Sequence, residues 1–410
     1  MESLRELYRI GSGPSSSHAL GPQAAAVRFR QQHPTATAIE ITLLGSLAAT
    51  GKGHGTDKVL QRACAGLALR LIWLPEEVHP FHPNGLRLRA FDADLRELGT
   101  WEVFSVGGGA LRSPGDPLPV QVYTQQSMAD VLSWCATHAA PWSQLVQRSE
   151  DPEFELFISD IWAAMRRCMD RGLAAAGELP GGLGLQRKAA SFAERGRATG
   201  SISENRGAWL SAFALAAMEE NAMGGEVVTA PTCGACGVVP AVLRWLQLSR
   251  QLKDAQIHEA LAIAGLVGNL VKQNGSISGA EVGCQGEVGT ACAMAAAAAC
   301  WIMGGTPEQC EYAAEMALEH HLGLTCDPIL GLVQAPCIER NAFAATRAVD
   351  CADYALAGDG RHRISFDEVV EALVQTGHDL AAPYRETALG GLARVHRLPD
   401  PGTGDWRKGS

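Results

Sequence analysis

At 410 residues, with 47% hydrophobic and 19% charged side chains, the chain is long enough for two or three domains and too apolar to be disordered. Its 44 acidic residues outnumber 34 basic ones, and the formal charge of -10 argues against the basic surface that a nucleic-acid partner requires. The opening MESLRELYRIGSG carries charges where a secretory signal needs an apolar core, and the Ala-rich runs Ala255 to Val271 and Gly289 to Met303 are short for a membrane span. A cytoplasmic location without membrane contact is therefore expected, with the twelve cysteines serving as thiols or metal ligands rather than disulfides.

Taken in order, Ile39 to Thr50 reads as a strand running into a loop, Gly55 to Leu74 has helical spacing, and Leu86 to Asp94 alternates like a half-exposed strand. Trp101 to Val106 is a further strand, stopped by Gly107, Gly108 and Gly109. Residues 1 to about 125 thus predict an α/β or α+β domain. After the turn SPGDPLP (Ser113 to Pro119) and a short helix over Met128 to Thr137, strand signals almost vanish. Helical periods cover Phe154 to Ala176, Ala208 to Met223, Val238 to Leu248, Gln256 to Val271, Glu287 to Met303, Pro307 to Leu322 and Ala342 to Ala357. A larger all-α domain is expected from a boundary near 140 to 152, and the small residues of Ala293 to Ala299 predict a tight bundle around a buried central helix. The tail Pro399 to Ser410 reads as extended and mobile.

Free cysteine is often a small buried hydrophobe, which explains Cys64, Cys135, Cys168, Cys292, Cys300, Cys310 and Cys351 inside helical patterns. Cys284, Cys326 and Cys337 instead lie in loops or at helix ends, beside Glu, Gln, Asp, Arg and Asn, and look like three ligands of a metal group that keeps a further position for substrate. Zinc is the alternative metal, and Cys233 with Cys236 forms a CxxC pair that suits it, although no second CxxC exists. Two histidines, His18 in GPSSSH and His54 in GKGHGTD, sit in glycine-rich loops where a proton acceptor can approach a ligand, or where each simply caps a helix or faces solvent. Ser15, Ser16 and Ser17 precede a helix starting near Gly21, an arrangement that suits a carboxylate but is also that of an ordinary N-cap.

The strings GSGPSSSHALGP, LPGGLGLQRKAASF, NAMGGEVVTAPTCGACGVVPAVL, GAEVGCQGEVG, LTCDPILGLVQAPCIERNA and YRETALGGLA together resemble the iron-sulfur L-serine dehydratases of bacteria, over about Ile10 to Arg397. The resemblance implies a single-chain form: a beta-type α/β domain over residues 1–145, an alpha-type all-α domain over 146–400 and a tail over 401–410. It also implies a 4Fe-4S cluster held by Cys284, Cys326 and Cys337, a small-molecule amino acid substrate and a homodimer. By the same resemblance His54 is the base for the α-proton, His18 an orienting or secondary group, and Ser15, Ser16 and Ser17 substrate-binding. Ser105 in SVGGG, Thr232, Lys188 and Arg340 are further candidates for holding substrate, each with a plainer alternative: a turn, a helix cap or an exposed helix face. If the motifs of both domains line one site, it lies in the interdomain cleft.

Three departures bear on substrate identity. Cys233 stands where the family has Asn, Ala19 replaces a Thr, and the sequence ends at Gly409 and Ser410 where some members carry a cysteine that folds back on the open iron. The expected reaction is the conversion of L-serine to pyruvate and ammonia. The alternatives are β-elimination from L-threonine or L-cysteine, and an amino-acid-binding relative without turnover.

Overall fold

The computed structural model describes residues 1–396, so the tail expected from Pro399 to Ser410 lies outside the described residues. The chain opens with strand β1 (Ile10–Ser12), helix α1 (Gly21–Gln32), strand β2 (Ala38–Leu44) and helices α2 (Gly45–Thr50) and α3 (Thr56–Ala63). Strands β3 (Ala68–Leu74), β4 (Gly85–Phe91), β5 (Glu97–Ser105) and β6 (Leu111–Arg112) follow.

Alternation along β2 buries Ile39, Ile41 and Leu43 on one face, and α1 covers that face with Ala25, Ala26 and Phe29. The other face carries a ladder of charges, with Arg89 paired to Glu40 at 3.1 Å and to Glu97 at 2.7 Å. Strand order is β3-β2-β4-β5-β6, parallel only between β2 and β3. The helix expected over Gly55 to Leu74 is one only as far as Ala63. Gly66, at φ 88°, turns the chain, and Ala68–Leu74 pairs in register with Ala38–Leu44. The run ALRLIWL satisfies both periods, and the free edge of β2 decides for strand. The loop expected after Leu44 is likewise the short helix α2, opened by Gly45 at φ 50°.

The helical half contains α4 (Met128–His138), α5 (Trp142–Ser149), α6 (Phe154–Ala174), α7 (Ala189–Ala198) and α8 (Arg206–Ala222). A short strand β7 (Glu226–Val228) precedes α9 (Val238–Arg250), α10 (Asp254–Asn274), α11 (Gly279–Val282), α12 (Thr290–Ile302) and α13 (Pro307–Glu319). Helices α14 (Cys337–Leu356), α15 (Phe366–Asp379) and α16 (Gly391–Val395) complete it. As the alanine run predicts, α12 is the central helix: every residue from Thr290 to Cys300 is buried, and α9, α10, α13 and α14 pack around it. Alanine makes this possible because its small side chain lets helix axes approach closely.

The first residues belong to this larger core. Met1, Leu4, Leu7 and Tyr8 are buried in it, the Tyr8 hydroxyl donates to the carbonyl of Leu261 at 2.8 Å, and β1 pairs antiparallel with β7. Close approach also governs the contact of α6 with α8, where a Cβ on Gly172 would lie 2.2 Å from the carbonyl oxygen of Ala216. Gly172→Ala is therefore expected to push the two helices apart and destabilise the protein by roughly 2 kcal/mol, strain outweighing the gain in helix propensity. An unchanged denaturation midpoint would show that the contact yields.

Candidate active site

Loops from both halves converge where β1 runs into α1. Ser15 caps a tight turn over Ser16–Leu20, its hydroxyl accepting from the amide of His18 at 3.1 Å, and this places the His18 ring in the interior with no exposed surface. His54 follows α2, with its Nδ1 3.0 Å from the carbonyl of Thr50. The two imidazoles stack at 4.4 Å.

Their hydrogen-bond partners define the tautomers. A carbonyl oxygen can only accept, so His54 carries its proton on Nδ1 toward Thr50, and His18 carries its own on Nε2, 3.1 Å from the carbonyl of Ser46. Nε2 of His54 and Nδ1 of His18 are left bare, the latter 3.0 Å from the Ser17 hydroxyl. Burial holds His54 down to about 4 and, with the neighbouring His54 ring, holds His18 well below the usual histidine range. Both rings are thus neutral near pH 7.

Both bare nitrogens face Glu386, whose Oε1 lies 3.4 Å from His18 Nδ1 and 3.5 Å from His54 Nε2. With neutral rings these approaches are not ion pairs. Glu386, at φ 56°, is fixed through its backbone: Ser46 Oγ donates to its carbonyl at 2.7 Å, and its amide donates to the carbonyl of Cys326 at 2.9 Å. Burial, then the nearby Glu287, raises its carboxyl well above the usual range.

The helical half supplies the cysteines. Cys284 follows α11, Cys326 lies in an irregular segment and Cys337 opens α14; all three are buried. Thr232 Oγ1 donates to Glu287 Oε1 at 2.8 Å, and Cys326 Sγ approaches Glu287 Oε2 at 3.9 Å. Gly279 has no room for a side chain here, because a Cβ would lie 2.7 Å from Glu287 Oε2 and 3.2 Å from Cys326 Sγ. Asn341 ties α14 to the Cys233 turn, accepting from the amide of Gly237 at 3.0 Å and donating to the carbonyls of Gly234 and Cys337, each at 2.9 Å. Arg340 donates to the carbonyl of Thr325 at 2.7 Å and to Asp327 at 3.2 Å.

Burial pushes the Cys284 thiol up to about 11 and those of Cys326 and Cys337 higher still, with the Arg340 charge pulling the other way on Cys284 and Cys337. Neutral thiols of this kind become ligands when a metal supplies the compensating charge. Among the described residues the one trio of His, Cys, Asp or Glu ligand atoms within 4.8 Å of one another is His18, His54 and Glu386. The sulfurs of Cys284, Cys326 and Cys337 therefore do not all lie within 4.8 Å of one another, and at least one pair is wider than the ~3.8 Å that a tetrahedral zinc site imposes on its thiolates. A larger metal group fits their spacing better than a single ion.

The remaining expected residues divide. Ser15, Ser16 and Ser17 are buried, and Ser16 Oγ accepts from the amide of Cys233 at 3.4 Å, which joins the two halves. Ser105 is buried behind this loop, its Oγ against Gly21 and without a hydrogen-bond partner. Lys188 is not brought to the cluster: it is exposed and pairs with Glu339 at 3.5 Å. Glu287 and Glu386 were not expected. Glu287 stands three residues after Cys284, and Glu386 sits within YRETALGG, but nothing local marks either as part of the site.

Outside the cluster, a cleft of about 720 Å³ runs between α3 and the helical half; Gly53 and Gly55 beside His54, and Pro14 beside Ser15, line it. Gly53 permits the closure, since a Cβ there would lie 2.5 Å from the carbonyl of Leu330.

Comparison with known proteins places the chain in a family. The family described as "Serine dehydratase alpha chain" matches residues 105–393, and "Serine dehydratase beta chain" matches residues 3–70. The chain is 39% identical to the L-serine dehydratase of Streptomyces coelicolor, over 95% of this chain and 98% of that one. It is 41% identical to the L-serine dehydratase of Mycobacterium bovis (95% and 97% covered) and 38% identical to that of Haemophilus influenzae (96% and 99%). With both family regions in one polypeptide and similarity along nearly its whole length, the chain belongs to the L-serine dehydratase family, in its single-chain bacterial form.

Proposed function

We propose that the protein eliminates water from L-serine to give pyruvate and ammonia, with Cys284, Cys326 and Cys337 holding a 4Fe-4S cluster. The observation that carries this is the meeting of three buried cysteines, not all within 4.8 Å of one another, with two neutral histidines whose bare nitrogens face the same interior. The names of the relatives support the same substrate. Bound to three thiolates, such a cluster supplies a Lewis-acidic iron that makes the β-hydroxyl a better leaving group.

The chain's own groups do the rest. Nε2 of His54 takes the α-proton, having its other nitrogen committed to the carbonyl of Thr50, which fixes ring orientation as well as tautomer. His18 stacks on His54 and keeps that ring in place. The hydroxyls of Ser15, Ser16 and Ser17, at the start of the turn leading into α1, are placed for the substrate carboxylate. Burial of the whole cluster keeps water from the aminoacrylate product until it is released, tautomerises to the imine and hydrolyses.

Protein prepared without oxygen is expected to carry about four irons per chain and to release pyruvate and ammonia from L-serine in equal amounts. Iron-loaded protein that forms no keto acid from serine, threonine or cysteine would overturn the proposal.

A further inference from the structure

We infer that Asn221, at the C-terminal end of α8, is a positioning residue for substrate binding: its side-chain amide docks the Ser15–Ser17 turn of the first half onto the helical half, and so sets where the serine hydroxyls stand relative to the three cysteines. The inference deepens the dehydratase reading and rests on it for the role of the serines.

The chain that leads into the turn is held to the helical half by its backbone only as far as Gly13. Strand β1 pairs with β7 from Ile10 opposite Val228 to Ser12 opposite Glu226, and the amide of Gly13 donates to the carbonyl of Gly225 at 3.0 Å. Among the described residues, two hydrogen bonds then join residues 14–17 to the helical half. The amide of Cys233 donates to Ser16 Oγ at 3.4 Å, near the limit for such a bond, whereas Nδ2 of Asn221 donates to the carbonyl of Pro14 at 2.7 Å. The tie beside Ser15 is the short one.

The setting of Asn221 points the same way. The residue is fully buried and its Oδ1 has no hydrogen-bond partner. An unpaired buried acceptor is destabilising, so packing alone would favour an apolar side chain of this size. What such a side chain cannot do is donate to Pro14. The contact is also close: a Cβ on Gly13 would lie 2.3 Å from both the carbonyl oxygen and the Oδ1 of Asn221, so the backbone of Gly13 rests directly on this residue. The end of α8 is itself braced, since Glu220 pairs with Arg187 at 2.9 Å and with Arg171 at 3.1 Å. Gly13 and Pro14 also line the cleft of about 720 Å³, which gives a turn released from Asn221 space to move into. Hydroxyls displaced in this way would hold the substrate carboxylate less well before and during the reaction alike, a loss that appears in KM rather than in kcat.

The test is N221L, which keeps the number of side-chain atoms and removes the donor. N221A serves as a second variant in case leucine crowds Gly13, and G172A is the matched control, loosening α8 from α6 without touching the turn. Iron content and melting temperature are measured on every sample. KM for L-serine is expected to rise about tenfold in both Asn221 variants, with kcat changed less than about threefold and iron retained. G172A is expected to melt lower and to keep its KM. Hydrogen exchange followed by mass spectrometry is expected to show the amides of residues 15–20 exchanging at least about tenfold faster in the Asn221 variants and unchanged in G172A. An unchanged KM in both variants, a loss carried by kcat or by iron, an equal rise of KM in G172A, or unchanged exchange of residues 15–20 would each overturn the inference. The two readings fail separately. Serine turnover with a normal KM in the variants defeats this inference alone. Iron-loaded unsubstituted protein that turns over no serine defeats the dehydratase reading, and the exchange of residues 15–20 then still decides whether Asn221 holds the turn.

Discussion

Replacing Cys326 with alanine is expected to remove most of the bound iron and to reduce pyruvate formation from L-serine by more than about 1000-fold, because metal affinity and the folding of its site depend on the full ligand set. Cys326 is the most telling of the three. Its amide donates to the carbonyl of Tyr384 and its carbonyl accepts from the amide of Glu386, so the side chain can be removed while the backbone that positions Glu386 stays tied. Cys292 is the matched control. It is fully buried in α12 and its thiol donates to the carbonyl of Ala344 at 3.3 Å, the behaviour of a small packed side chain, and C292A should keep its iron. Iron content measured with circular dichroism on the same samples separates ligand loss from unfolding. Full iron and full turnover in C326A would exclude the proposed ligand set.

For His54→Gln the expected loss is in kcat, about 100- to 10,000-fold, with KM changed less than about threefold, as befits a proton acceptor that binds substrate no more tightly in the ground state than glutamine does. A dominant rise in KM would instead make His54 a binding residue. The same substitution has a second readout. Burial holds His54 at about 4, against about 6.5 in an open chain, so between those values the unfolded chain takes up a proton that the folded chain does not. Stability is therefore undisturbed by this group above pH 6.5 and is lost as pH falls toward 4. Between pH 7 and pH 5 the loss is about 2 kcal/mol, and H54Q should lack that component. Glu386, raised by burial, works in the opposite direction, and because its Oε1 lies 3.5 Å from His54 Nε2 the comparison is made in an E386Q background, which removes its titration from both proteins. Identical acid sensitivity of the two proteins would show that His54 is not held neutral by burial.

Much of the fold was legible in the chain. The alanine run predicted a buried central helix because only small side chains let four neighbours pack around one axis, and α12 is that helix. Helices α6, α8, α9, α10 and α13 follow apolar spacing that is readable without a partner. Residues 68–74 were misread for the converse reason: their apolar pattern fits two periods, and pairing to β2 is a long-range fact. The opening residues gave no local sign that Met1, Leu4, Leu7 and Tyr8 would enter the core of the helical half, since their partners lie more than a hundred positions away.

The site divides along the same line. Sequence alone determined the reactive types and their loop settings: Cys284, Cys326 and Cys337 in loops or at helix ends, His18 after three serines and His54 between glycines. These are local properties, set by what a short stretch of backbone can present. Only the tertiary structure decided that Glu386 meets both histidines, that Glu287 lies against Thr232 and Cys326, that Ser105 is turned toward Gly21, and that Lys188 stays at the surface. Which acid is buried, and which imidazole nitrogen is left bare, depend on carbonyls and charges contributed by distant segments, and those are brought together only when the two halves close on each other.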